Sequence, residues 1–163
     1  MTLFAGNGTQ TFDKIDGLTA SMKNNYMPDR WPPGNLVDGN YNSFAHTVNS
    51  SDGLWIRVKL PEVALIQQIK IHNRKDCCQD RIIGQSVFIK MQEVNVTSCG
   101  TITEVQNMYT FECTRDMENG DVVELSKDGD VVEQNIAEIY AFGIIAPGYD
   151  IIATSELINV YLI

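Results

Sequence analysis

From position 55 onward the chain alternates apolar and polar residues with a period of two. In W-I-R-V-K-L (55–60), Ile56, Val58 and Leu60 share one face, while Trp55, Arg57 and Lys59 share the other. That pattern predicts a half-buried strand. Pro61 is expected to end it, and V-A-L-I-Q-Q-I-K-I-H-N (63–73) reads as the next strand. The series continues with S-V-F-I-K-M (86–91), M-Y-T-F-E-C (108–113), D-V-V-E-L (121–125) and I-A-E-I-Y-A-F (136–142). Glu118-Asn119-Gly120-Asp121 and Lys127-Asp128-Gly129-Asp130 are turn sequences between strands. No amphipathic helix of three turns is evident. Short β-branched strands about ten residues apart predict an all-β fold, an antiparallel β-sandwich.

The first fifty residues break this rhythm. They are polar, rich in Asn, Gly and Pro, and read as long loops on the β-scaffold. The 163 residues form most simply one domain, with a core over about 18–143 and an extension over 144–163 that holds one strand-like run, L-I-N-V-Y-L-I (157–163).

Charge narrows the partners. A net charge of −9 argues against nucleic acid and anionic lipid, both of which need clustered Lys and Arg. No apolar run of about 18 residues is present, so membrane insertion is not expected. The first twenty residues lack a basic n-region and an apolar h-region; a leader is expected to have been removed already or never to have existed.

Four cysteines are present. Cys99 and Cys113 bracket a hairpin-like segment and could close a loop of useful size. Cys77 and Cys78 are adjacent, and a bond between them would close the shortest loop there is, so it adds almost nothing as a staple. Neighbouring Cα atoms lie closer than the roughly 4.4–6.8 Å of ordinary disulfides. The pair is therefore either two free thiols in a turn or a strained bridge. Three N-x-[ST] sequons begin at Asn7, Asn49 and Asn95 and, with the cysteines, lean toward a secreted, oxidising setting.

Candidate chemistry gathers in two places. His46 lies just before the Trp55 strand, and Arg74, Asp76 and Arg81 follow the 63–73 strand. Loops at one end of a sandwich converge, so these groups are placed to share a donor-rich patch suited to neutral hydroxyls or a carboxylate. Asp76 can orient one arginine. A solvated charge cluster is the plainer alternative. N-L-V-D-G-N-Y-N-S (35–43) is either a simple turn or a loop able to wrap a hard cation through oxygen atoms. No G-x-S-x-G, H-E-x-x-H, Walker or G-x-G-x-x-G string occurs, and an enzyme is not expected.

D-G-N (38–40), then His46, a tryptophan strand and N-R-K-D-C-C-Q-D-R-I-I-G (73–84) resemble the F-type lectins, or fucolectins. These are fucose-binding, discoidin-like β-sandwiches related to the C domains of coagulation factors. The resemblance runs from about Leu18 to Gly143 and is most specific over 73–84. Arg74-x-Asp76-x4-Arg81 fits the family's R-x-D-x4-[RK] motif; 27 residues separate His46 from Arg74, one more than the family spacing. The resemblance implies that His46, Arg74 and Arg81 donate to sugar hydroxyls and that Asp76 braces an arginine. It makes Cys77 and Cys78 a vicinal disulfide forming an apolar platform under the sugar.

It also implies a structural Ca2+. Asn35, Asp38, Asn40 and Ser43 fall on the family's calcium loop. The last ligands come from a C-terminal strand that I-A-E-I-Y-A-F or T-S-E-L-I-N-V could supply. Spacing from the preceding strand selects the Ala137 carbonyl and Glu138 rather than Glu156. The family's disulfide between the calcium loop and that strand is missing, with Phe44 and Ala137 at its positions. The loop after Asn40 is short, so Tyr26, Met27 and Tyr41 are expected to line the pocket for the fucose methyl. Asn49 lies too near His46 to be glycosylated without crowding the site.

The resemblance thus implies a secreted, calcium-stabilised, non-catalytic lectin for terminal L-fucose on glycans or glycoproteins, displayed multivalently. The sequence leaves oligomeric state open, a homo-oligomer among the options. The rival is a discoidin-like adhesion module binding protein or lipid through its loops, with Trp31 as an exposed aromatic spike. An enzyme's accessory carbohydrate module is a more distant alternative.

Overall fold

The longest element is a single strand, β4, covering Leu54–Asn73. The computed structural model describes residues 12–113, 119–129 and 133–145. The strand expected at 157–163, Glu156, the Asn7 sequon, and Glu118 and Asp130 of the two expected turns lie outside the described residues; Asn119, Gly120 and Asp121 of the first expected turn belong to a strand, paired at Asn119 and Gly120 with Leu65 and Ala64.

Pro61 does not end a strand. The β4 register shifts between Lys59 and Ala64, and Pro61 sits in that break, where no ladder bond needs its missing N–H. The shift lets β4 serve two layers. Its first half pairs with β2 (Thr19–Met22) and β8 (Asn119–Lys127). Its second half pairs with β9 (Asn135–Ile145) and β7 (Met108–Glu112). Beyond β8 lie β5 (Ser86–Met91) and β6 (Val94–Thr101), while β9 also carries the short β1 (Asp13–Lys14) and β3 (Ala45–His46). All of these pairings are antiparallel, as a β-sandwich requires.

Two glycines permit close strand packing, Gly143 of β9 against β4 and Gly120 of β8 against β5. A Cβ at Gly143 would lie 2.1 Å from the Leu65 carbonyl oxygen, and one at Gly120 would lie 2.3 Å from Ile89. Only glycine allows both neighbouring strands to approach that closely.

The alternation seen in the sequence is realised as burial. Ile56, Val58, Ile66, Ile69, Ile71, Val87, Ile89, Leu125, Ile136 and Ile139 fill one continuous core. Strand β6 has no matching sequence expectation: its run V-N-V-T-S-C-G-T contains few apolar residues, and pairing with β5 is what makes it a strand. Likewise β2 emerges from the polar first fifty residues because β4 offers it an edge. Helical structure among the described residues is limited to two 3-10 turns, Pro33–Leu36 and Gln79–Ile82.

One register relationship positions the site. Ile136, near the start of β9, pairs with Ala45 of β3 on one side and with Asn73 of β4 on the other. The next residues along those neighbours are His46 and Arg74. Segments 27 residues apart in sequence are thereby brought to the same end of the sandwich.

Candidate functional site

Asn73 is fully buried and ties down the loop that follows it. Its side-chain amide donates to the Gln79 carbonyl at 3.0 Å and to the Gln106 carbonyl at 3.1 Å, while its Oδ1 accepts from the Arg74 N–H at 2.9 Å. The intervening residues are held as a closed loop. Within it Cys77 and Cys78 are disulfide-bonded across a trans peptide, with Cα atoms 3.8 Å apart. Cys78 adopts a left-handed conformation (φ 59°), which turns the chain into the 3-10 turn carrying Arg81. Ile82, fully buried, anchors that turn in the core; such burial contributes roughly 1.5–3 kcal/mol.

Arg81 Nη1 reaches to 3.3 Å from His46 Nε2. Glu133, absent from the sequence-derived set, lies between them: its Oε2 is 3.2 Å from His46 Nε2 and ion-pairs with Arg81. Burial pushes the His46 imidazole below the usual histidine range; the Glu133 hydrogen bond opposes this, and the positive charges of Arg81 and Arg74 add to it. His46 Nδ1 is buried without a hydrogen-bond partner among the described residues.

Arg74 grips Asp76 through two hydrogen bonds, Nε to Oδ1 and Nη2 to Oδ2 (2.8 Å). This fork holds the Asp76 carboxyl down at about 2. The guanidinium also lies 3.8 Å over the Phe44 ring. Phe44 stacks on Trp31 at 5.6 Å and Trp31 on Tyr26 at 5.5 Å, so the cation caps a three-ring column. The His46 ring meets Tyr26 and Trp31 edge-on, at 5.2 and 5.4 Å. Trp31 is therefore half-buried inside this column and is not an exposed spike.

The structure brings His46, Arg74, Asp76, Arg81 and Tyr26 together beside the Cys77–Cys78 loop. Met27 sits next to Tyr26, 47% exposed. Tyr41 leans away, its ring 4.3 Å from His72 and its hydroxyl 3.1 Å from that of Tyr140. It still borders a cavity of about 220 Å³ that Arg74 and Asp76 also line. The sequence set omits Glu133, Phe44, Trp31 and Asn73 as site residues. Asn73 opens the quoted motif; Glu133, 87 residues from His46, carries no local signal.

The second cluster joins the 35–43 loop to β9. Ser43 Oγ donates to Asp38 Oδ2 at 2.7 Å, the Asn40 N–H to Asp38 Oδ1 at 2.8 Å, and the Gly39 N–H to Glu138 Oε2 at 3.1 Å. Asn35 donates to the Phe44 carbonyl at 3.0 Å. Glu138 is 1% exposed, and burial, followed by the nearby Asp38, pushes its carboxyl up to about 7. A buried carboxylate facing a second one is poorly satisfied alone and suits a hard cation. Among the described residues no three His, Cys, Asp or Glu side chains converge, so a cation here would depend on amide, hydroxyl and carbonyl oxygens.

Residues 35–125 match the family described as NedA-like, galactose-binding domain. Over 97 residues the chain is 35% identical to Fucolectin-5 of Anguilla japonica, covering 52% of this chain and 51% of that protein. It is 34% identical to Fucolectin-1 of the same eel over 97 residues, 52% of this chain and 54% of that one. The chain spans about half the length of the curated relatives it matches. Among solved structures, the fucolectin from striped bass (Morone saxatilis) serum superposes with a TM-score of 0.74 at 26% identity, over 85% of this chain and 52% of that one. A fucose binding module of Streptococcus pneumoniae superposes with a TM-score of 0.66 over 85% of this chain and 98% of that one; at 19% identity it speaks for the fold alone.

Proposed function

We propose that this chain, which belongs to the NedA-like, galactose-binding domain family, is a lectin that binds terminal L-fucose on glycans without catalysing a reaction. The carrying observation is the convergence of His46, Arg81 and Arg74 beside the Cys77–Cys78 disulfide. The similarity to eel and bass fucolectins supports the sugar class. The two arginines and the imidazole point donors at ring hydroxyls, Asp76 fixes Arg74, and Tyr26 with the disulfide offers apolar surface to the sugar's C–H face. Asp38 and Glu138, with oxygens of Asn35, Asn40, Ser43 and Ala137, would hold Ca2+, whose charge offsets the two acids and stiffens the loop leading to His46. Secretion is part of the proposal, supported by two disulfides.

Titration calorimetry with L-fucose, run with and without a reductant and a calcium chelator, tests the reading. Heat that is specific to fucose and weakened by either additive is expected. No heat with fucose, alongside binding to acidic lipid vesicles, would favour the adhesion-module alternative instead.

A further inference from the structure

The outward face of the β4–β9 pair carries an aromatic floor outside the fucose site. Tyr140 and Phe142 alternate outward along β9, and Lys70 of β4 is the register partner of Tyr140. His72, two residues along β4, places its ring 5.8 Å from Tyr140 and 4.3 Å from Tyr41, which leans in from the 35–43 loop. Met108 of β7, 44% exposed, adds an apolar wall. With Lys14 of β1, these residues enclose a groove of about 420 Å³.

Its charge is opposite to that of the chain. The sequence holds 21 acidic against 12 basic residues, yet no carboxylate lines this groove. Lys14 lies 4.8 Å over Tyr140, Lys70 5.0 Å over Phe142, and Lys75 5.5 Å over Tyr41. Only Lys14 has an acidic partner among the described residues, the exposed Asp16 at 3.4 Å, and such a surface pair is weak.

The groove neighbours the Arg74 side of the proposed sugar site, because Tyr41 borders both the groove and the cavity lined by Arg74 and Asp76. We infer that it is a second saccharide subsite, taking an acidic sugar unit (sulfated or carboxylated) of the same glycan whose fucose lies at Arg74. Its size suits one or two sugar rings. Aromatic faces cover the C–H surface of a sugar, and the lysines supply the countercharge. The inference rests on the fucose reading above and adds the class of glycan.

Calorimetry on the full chain should compare L-fucose, a neutral fucosylated trisaccharide, and that trisaccharide bearing either one sulfate ester or one carboxylated sugar. At least one acidic form is expected to bind roughly tenfold tighter than the neutral one, as a single charge-assisted contact allows. A gain confined to the sulfate or to the carboxylate names the group; either supports the subsite. The gain should shrink with added salt and vanish in the Lys14→Gln/Lys70→Gln double variant, with free-fucose affinity unchanged. Equal affinity for acidic and neutral forms overturns the subsite, as does a gain that survives in the variant. If fucose itself gives no heat, the fucose reading fails, and NMR titration with a sulfated sugar lacking fucose decides the groove. Shifts at His72 and Lys70 then sustain it, and silence overturns it. Shifts caused by a polyglutamate peptide but by no sugar would assign the groove to an acidic protein and overturn the saccharide subsite.

Discussion

Glu133 Oε2 lies 3.2 Å from His46 Nε2 and ion-pairs with Arg81, so the proposed sugar donors already share one carboxylate in the free protein. A ligand hydroxyl must either replace that carboxylate or bond to it. The contact also governs the histidine's charge. Glu133 raises the His46 pKa while burial and both arginines lower it, and lowering prevails. Because the folded value is below the unfolded one, the associated stability is present above about pH 6.5 and is lost as pH falls through the folded value. Removing the negative charge with Glu133→Gln should lower the His46 midpoint further. NMR titration of the imidazole would show this; an unchanged or raised midpoint would refute the contact.

Arg74→Ala should abolish fucose binding at little cost to the fold. The side chain loses an ion pair with the exposed Asp76 and a ring contact with Phe44, worth about 1–2 kcal/mol together. Calorimetry paired with thermal unfolding checks both halves. A large fall in melting temperature would mean the arginine is structural.

Asn73→Ala should do more damage while touching no sugar. It leaves the Gln79 and Gln106 carbonyls without their amide donor, a loss of about 1–3 kcal/mol for two part-buried bonds. Urea unfolding should show that loss, and fucose affinity should fall because the Cys77–Cys78 loop is no longer held.

The two disulfides should separate stability from binding. Cys99–Cys113 has a sequence separation of 14, and a loop of that size is worth about 3 kcal/mol. Cys77–Cys78 spans one residue and constrains almost nothing in the unfolded chain. Cys99→Ser/Cys113→Ser is expected to lower unfolding free energy with fucose affinity retained. Cys77→Ser/Cys78→Ser is expected to weaken fucose binding and leave the denaturation midpoint nearly in place.

Calcium should raise the melting temperature of the wild-type chain and a chelator should lower it. Glu138→Gln removes the buried charge facing Asp38. That variant should melt higher than the wild type when both are metal-free, and should no longer respond to calcium. A variant that still responds would move the cation elsewhere.

Much of the scaffold was legible in the residues. Ser86–Met91 is a strand in both the pattern and the structure, because alternating Val87 and Ile89 can be satisfied only by burying one face. The same reasoning failed at Pro61, where a register break shared by two layers removed the need for its N–H. It also failed at β6, a polar run ordered by its neighbour rather than by its own composition.

The site divides along the same line. Sequence by itself determined the local chemistry: a fork of Arg74 and Asp76 two residues apart, adjacent cysteines, an asparagine-rich loop around Asp38. These are short-range relationships, fixed by covalent spacing. Only the tertiary structure decided that Ile136 would sit between Ala45 and Asn73, setting His46 against Arg81 and bringing Glu133 to both. It also decided that Trp31 would stack under Phe44 and that Tyr41 would join a lysine-rimmed groove. Those relationships depend on strand register across the sandwich, which is set by the packing of a whole core and leaves no trace in any local stretch of residues.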